Sequence, residues 1–216
     1  MAIVSAPATS RRGQRDAKPR QGDRRERAIL DTTRALLADV PFSDLTIEQI
    51  ATAAGVSRSS LYFYFADKAQ ILLLLYGGVL EEMSAELERW FADPDKHAEP
   101  WSRASITAAV TVARRNANVV CAALDSRGSN AEIDRAFNQY FDRAISRSAA
   151  LIERERAAGL APSTGPPAAA IARALMHMTL HSIHELLRTG ASSADAQALI
   201  DTLTVLWARG VGTDPA

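Results

Sequence analysis

An all-α fold in two parts is what the 216 residues predict. Three observations carry that reading. Beyond residue 23, apolar side chains recur three and four positions apart, and no segment alternates as a half-buried strand would. Many of these segments open on Ser, Thr, Asp or Asn and stop near Gly or Pro, the residues that begin and end helices. The charge is also divided. Residues 1–30 hold eight basic and three acidic side chains, residues 1–70 carry net +3, and residues 71–216 carry net −3. The zero total therefore conceals a basic front and an acidic rear, and it does not exclude a nucleic-acid partner.

Residues 1–22 are polar, basic and broken by Pro7, Gly13, Pro19 and Gly22, which reads as a flexible arm. A first helix is expected over 24–39, with Asp23 as its cap, Glu26 as the capping-box partner and Pro41 as its stop. A second starts at Thr46, with Gln49 completing a capping box, and ends at Gly55. Ser57 caps a third over 58–65, and Asp67 caps a long fourth reaching residue 91. Further helices are expected over 101–115, 118–124, 130–158, 168–189 and 193–210, with a Pro- and Gly-rich linker at 161–167.

The single cysteine, Cys121, cannot form an internal disulfide, which suits a reducing compartment. The N-terminus lacks the apolar run of a signal peptide. The longest apolar stretch, 71–80, falls short of the roughly 20 residues a membrane span needs. A cytoplasmic protein with no membrane partner is expected. Catalysis finds little support: there is no Ser-His-Asp set with a supporting signature, no phosphate loop and no HExxH. His177, His181 and His184 share a helical face, yet a polar strip accounts for them better than a metal does, so neither metal nor cofactor is expected.

The strongest signal is the segment 46–68, TIEQIATAAGVSRSSLYFYFADK. It describes two short capped helices pivoting on Gly55, the arrangement that sets a second helix into the DNA major groove. Ile50, Ala51, Val56, Leu61 and Phe65 are the expected inner contacts. The outer face holds Arg58, Ser59, Ser60, Tyr62 and Tyr64, donors and flat rings with no acid among them.

This segment resembles the helix-turn-helix of the TetR family of transcriptional repressors. The matching residues are Leu45-Thr46, Ile50-Ala51, Ala54-Gly55-Val56-Ser57, Leu61-Tyr62-Phe63-Tyr64-Phe65 and Lys68. The resemblance implies DNA contacts at Thr46, Arg58, Ser59, Ser60, Tyr62, Tyr64 and Lys68. Arg58 is the expected base reader, since a guanidinium pairs bidentately with guanine. Lys68 is the expected phosphate ligand, so that Lys68→Ala would lower the salt slope of binding by about 1. The division implied is an arm over 1–22, a DNA-binding domain over 23–68, and a sensing and dimerisation domain over 69–212.

The rear resembles the EthR-like members of that family in Trp101, in 63–80, in Ala149 to Gly159 and in Asp201 to Trp207. Such proteins take an apolar effector among these helices and then leave DNA. Residues at helical spacing that would line such a pocket are Leu87, Trp90, Trp101, Ile106, Val110, Phe137, Tyr140, Phe141, Met176, Thr179, Leu180, Ile183 and Trp207, although the same pattern also fills a plain core. Ala108, Ala144, Met176 and Thr179 stand where those members carry larger or amide side chains, which reshapes the pocket and removes polar anchors. Gly77 and Gly78 inside the fourth helix either ease bending or permit close packing. The last two helices carry apolar stripes, and the resemblance makes them a homodimer seam suited to a palindromic operator in the bacterial cytosol. The alternatives are a DNA-binding protein of this fold without an effector and, remotely, an enzyme.

Overall fold

The computed structural model describes residues 21–92 and 101–213, apart from the side chains of Gln21, Leu87, Trp90, Phe91 and Ala92. Nine helices and no strand occur among the described residues. They are α1 (Gln21–Leu36), α2 (Ile47–Ala53), α3 (Arg58–Tyr64), α4 (Lys68–Ala92), α5 (Trp101–Arg115), α6 (Ala117–Asp125), α7 (Ala131–Ala157), α8 (Ala168–Arg188) and α9 (Ser193–Val211). No single helix among them is long and apolar enough to cross a membrane.

The helix starts follow local chemistry. Thr46 accepts from the Gln49 amide at 3.2 Å while the Gln49 side chain accepts from the Thr46 amide at 2.8 Å, a complete capping box. Ser57 accepts from the Ser60 amide at 3.1 Å, and Asp67 from the Gln70 amide at 2.9 Å. Gly55 follows α2 at φ +66, a left-handed conformation that costs a side-chain-bearing residue more than glycine. Asn130 caps α7 by accepting from Glu132 and Ile133. Ser192 and Asp195 form a second capping box at α9.

The first helix departs from expectation at both ends. It already includes residues 21 and 22, which were expected in the arm, and Asp23 lies within the helix instead of capping it. A carboxylate there still opposes the positive end of the helix dipole. The helix ends at Leu36 and turns over 37–39 before Pro41. The rest of the predicted arm, residues 1–20, lies outside the described residues.

α1, α2 and α3 pack together, and α1 also packs on α4. Ile29, Leu45, Ile50, Leu61 and Phe65 are at most 1% exposed and close this small core. α4 continues from it, about 37 Å long at 1.5 Å per residue. It buries Ile71, Leu72, Leu75, Tyr76 and Val79 against the remaining helices, packing on α5, α6 and α7. α8 lies between α7 and α9, and α9 rests on α5. α4 is thus the element common to both clusters.

Candidate DNA-recognition surface and sensor core

The inner contacts of the helix pair fall where the sequence puts them. Ile50, Ala51, Leu61 and Phe65 are buried and Val56 packs against them. This leaves two rows of side chains on the outside of α3, each spaced four residues apart. Arg58 and Tyr62 form one row. The guanidinium donates to the Tyr62 hydroxyl at 3.4 Å and lies 5.6 Å from the ring centroid. That hydrogen bond holds the Arg58 guanidinium further above its ordinary range, so it remains charged. Ser59 and Phe63 form the other row, with the Ser59 hydroxyl 3.0 Å from that of Ser57.

The expectation of an outer face free of acid needs amending. Glu48 on α2 approaches Arg58 at 3.8 Å, both side chains being mostly exposed. An exposed pair at that distance is weak and leaves the guanidinium available to other partners. Thr46 is exposed, but its hydroxyl already serves Gln49 in the capping box. Ser60 and Tyr64 are half-buried, and the Tyr64 hydroxyl lies 3.8 Å from where a Cβ on Gly22 would stand. The first turn of α1, with exposed Arg24, Arg25 and Arg27 following, is therefore beside the end of α3.

Lys68 takes a different part from the one expected. Its ammonium donates to the carbonyls of Phe42, Ser43 and Leu45 at 2.8, 2.9 and 2.8 Å, and lies 4.9 Å from the Phe42 ring centroid. An ammonium has three protons, and all three are engaged. In this geometry Lys68 clasps the α1–α2 loop to the start of α4 and has no proton left for a phosphate.

The aromatic residues predicted to line a pocket separate into two clusters. Trp101 and Trp207 meet edge to face with centroids 5.7 Å apart. The Trp207 indole donates to Thr179 at 2.9 Å, and the Trp101 indole to Glu155 Oε1 at 2.6 Å. The other Glu155 oxygen, Oε2, is buried without a hydrogen-bond partner. Burial raises this carboxyl above the ordinary range, against the lowering effect of the indole. In the second cluster Phe137 stacks on Phe141 and on Tyr76, Arg127 sits 3.9 Å over Phe137, and His177 packs edge-on against Phe141. Ile106, Val110 and Ile183 are buried in the core, and Met176 and Leu180 pack against it. Burial pushes the Tyr140 phenol up, against the lowering effect of Arg147 and Ser84. Leu87 and Trp90 have side chains outside the described residues. Two open recesses occur elsewhere, one between α8 and α9 and one at the α6–α7 turn, and none of the predicted pocket residues lines either.

A polar link absent from the sequence reading joins the two clusters of helices. Asn116, between α5 and α6 and only 8% exposed, accepts from Arg34 of α1. It donates to Glu82 of α4 at 2.9 Å, and Glu82 also pairs with Arg115 at 2.8 Å. Of the three histidines, His177 and His181 stack with ring centroids 6.5 Å apart, and only His184 turns elsewhere. His184 Nε2 lies 3.0 Å from Asp125 Oδ1 but off the line of a hydrogen bond, while His177 belongs to the aromatic cluster. Burial, and then Asp125, push the Cys121 thiol up, which suits a packing side chain rather than a reactive one.

Residues 29–75 match the family described as Bacterial regulatory proteins, tetR family, and residues 101–212 match Transcriptional regulator EthR, C-terminal domain. The chain belongs to the TetR family, on its EthR-like branch. It is 31% identical over 209 residues to the HTH-type transcriptional regulator EthR of Mycobacterium tuberculosis, covering 96% of each chain. It is 30% identical to EthR of Mycolicibacterium smegmatis, covering 94% of each. A TetR-family regulator from Syntrophomonas wolfei shares the fold at a TM-score of 0.72 and 20% identity, over 89% of this chain and 97% of that one. Like its TetR-family relatives, the chain is a transcriptional regulator and not an enzyme. The EthR-like match covers the rear helices, in which Thr179 and Trp207 are buried and Trp101 packs against the core.

Proposed function

We propose that the chain is a cytoplasmic repressor that binds a palindromic operator as a homodimer and leaves it when an apolar small molecule enters the rear helices. The observation that carries this reading is the link Arg34–Asn116–Glu82, because it ties the helix that supports α3 to the junction of α5 and α6. A ligand that parts those rear helices then has a physical path to the DNA-facing surface. We assign the DNA-facing side chains to Arg58, Ser59, Ser60, Tyr62 and Tyr64, with Thr46 at the edge, and place residues 23–68 and 69–212 as the two working parts.

Dimerisation is supported by the outer faces of α8 and α9. Ile171, Leu175, Met178 and Leu186 are only half-covered, and Val205 and Leu206 remain 40% and 42% exposed in the single chain. A second copy seated there buries them and presents two recognition helices related by a two-fold axis.

A second reading, the same regulator without an effector, is favoured by the closed state of the Trp101–Trp207 cluster, whose indole protons are both satisfied. One set of measurements separates the two. Selection of random duplexes by the purified protein is expected to yield a palindrome, and sedimentation at micromolar concentration a dimer. Acyl chains and aromatic compounds are then screened by thermal shift and by release of the selected duplex. No enriched sequence defeats the DNA-binding reading, a monomer defeats the palindrome, and a tight operator complex that no compound disturbs favours the second reading.

A further inference from the structure

Phe63 is 83% exposed, the most exposed large apolar side chain among the described residues, and it stands on the recognition helix. Among the described residues its one ring neighbour is Tyr64, met edge-on at 5.2 Å, and no packing among them accounts for it. Leu61 and Phe65 already fill the inner side of α3 at 0% and 1% exposure. Its place in the outer pattern is more informative. The Arg58–Tyr62 row ends in a guanidinium and a hydroxyl joined to each other. The parallel Ser59–Phe63 row ends in a bare phenyl ring. α3 therefore presents one polar edge and one apolar edge to whatever lies opposite.

We infer that Phe63 is a specificity-determining residue that reads the methyl group of a thymine in each operator half-site. The argument is one of elimination by chemistry. Duplex DNA offers donors, acceptors and phosphates, none of which a phenyl ring can match. Its one apolar group in the major groove is the thymine C5-methyl, and Phe is among the side chains that contact it. Charge favours the duplex here: Arg58 lies in the neighbouring row, where Glu48 holds it only loosely, and Arg24, Arg25 and Arg27 outnumber Asp23 and Glu26 among the exposed side chains of the helix beside the end of α3. Four residues bring Phe63 one helical turn beyond Ser59, so the thymine neighbours the base or phosphate met by the Arg58–Tyr62 edge.

This inference rests on the DNA-binding reading above, and the experiment keeps their failures apart. Duplexes are first selected from random sequence by the wild-type protein. If no sequence is enriched, the underlying reading fails. With a selected palindrome in hand, each thymine is replaced by deoxyuridine, which removes only the methyl, symmetrically in both half-sites. At one position wild-type affinity is expected to fall about fourfold per half-site, the worth of one buried methyl. Phe63→Ala is expected to bind the thymine operator as weakly as wild type binds the uracil one, and to be indifferent to the exchange. The substituted side chain is exposed, so the variant should melt with the wild type and bind random DNA at low salt equally well. Three results overturn the inference. They are a wild type indifferent at every thymine, a Phe63→Ala that keeps the methyl sensitivity, and a Phe63→Ala that lowers the salt slope and so shows a backbone contact.

Discussion

Glu155 holds a carboxylate half in use: one oxygen serves the Trp101 indole and the other is buried without a partner. Because burial raises this carboxyl, the folded protein keeps its proton more tightly than the unfolded chain does. Stability is therefore expected to fall as pH rises from the ordinary carboxylate range through the raised value, and to be regained on acidification. Glu155→Gln keeps an acceptor for the indole and has nothing to ionise, so its melting temperature relative to wild type should rise with pH across that window. Melting scans in pH steps check it, and a constant offset would sink the idea. Lys68 gives a second test. Its three hydrogen bonds to carbonyls place Lys68→Ala about 2 kcal/mol below wild type in stability, or roughly 4–8 °C for a chain of this size. The salt slope of DNA binding should remain unchanged, whereas a drop of about 1 would return Lys68 to the phosphate. Its motif position was legible, but its partners were not, since the carbonyls it reaches lie 23 to 26 residues earlier in the chain.

Among the elements, α4 is the one that both helix clusters share, and it carries Gly77 and Gly78 in its interior. A Cβ added at either would meet nothing within 4 Å, so close packing does not explain them. Gly77→Ala and Gly78→Ala should each stabilise the helix by about 0.5–1 kcal/mol. If bending of α4 is what releases DNA, the double variant binds the operator as wild type does and needs more effector to let go. A higher melting temperature with an unchanged effector response would confine the glycines to helix stability. The element map itself was largely legible. The starts of α2, α3 and α4 rest on caps made within three or four residues, a range that sequence spacing reports directly. The start of α1 was misread because Asp23 suits a first turn as well as it suits a cap.

Over the whole molecule, the proposed release of DNA requires a physical link between the two clusters. Arg34 and Asn116 are 82 positions apart, and no periodicity or motif joins them. Arg34→Met keeps the aliphatic stem and removes the link. It is expected to leave operator affinity within a few fold, to cost about 1 kcal/mol of stability, and to shrink the ratio of operator affinities with and without effector by several fold. Binding titrations with and without ligand measure that ratio, and an unchanged value would show that coupling takes another route. The predicted pocket was legible only in part for a related reason. Aromatic spacing found Trp101, Phe137, Phe141 and Trp207, but spacing cannot say that they settle into two separate groups, or that Tyr76 and Arg127 complete one of them.

Among the described residues the outward side chains of α3 bond with near neighbours on α2, α3 and the turn between them, while Ile50, Ala51, Leu61 and Phe65 hold the register from within. On the proposed DNA-binding reading, recognition and foldability are written in different letters of the same short segment. Positions 58, 59, 62 and 63 lie outside the core, so on that reading gene duplicates can acquire new target sets without relearning how to fold. The same separation makes this helix a cassette from which mutually non-interfering switches can be built.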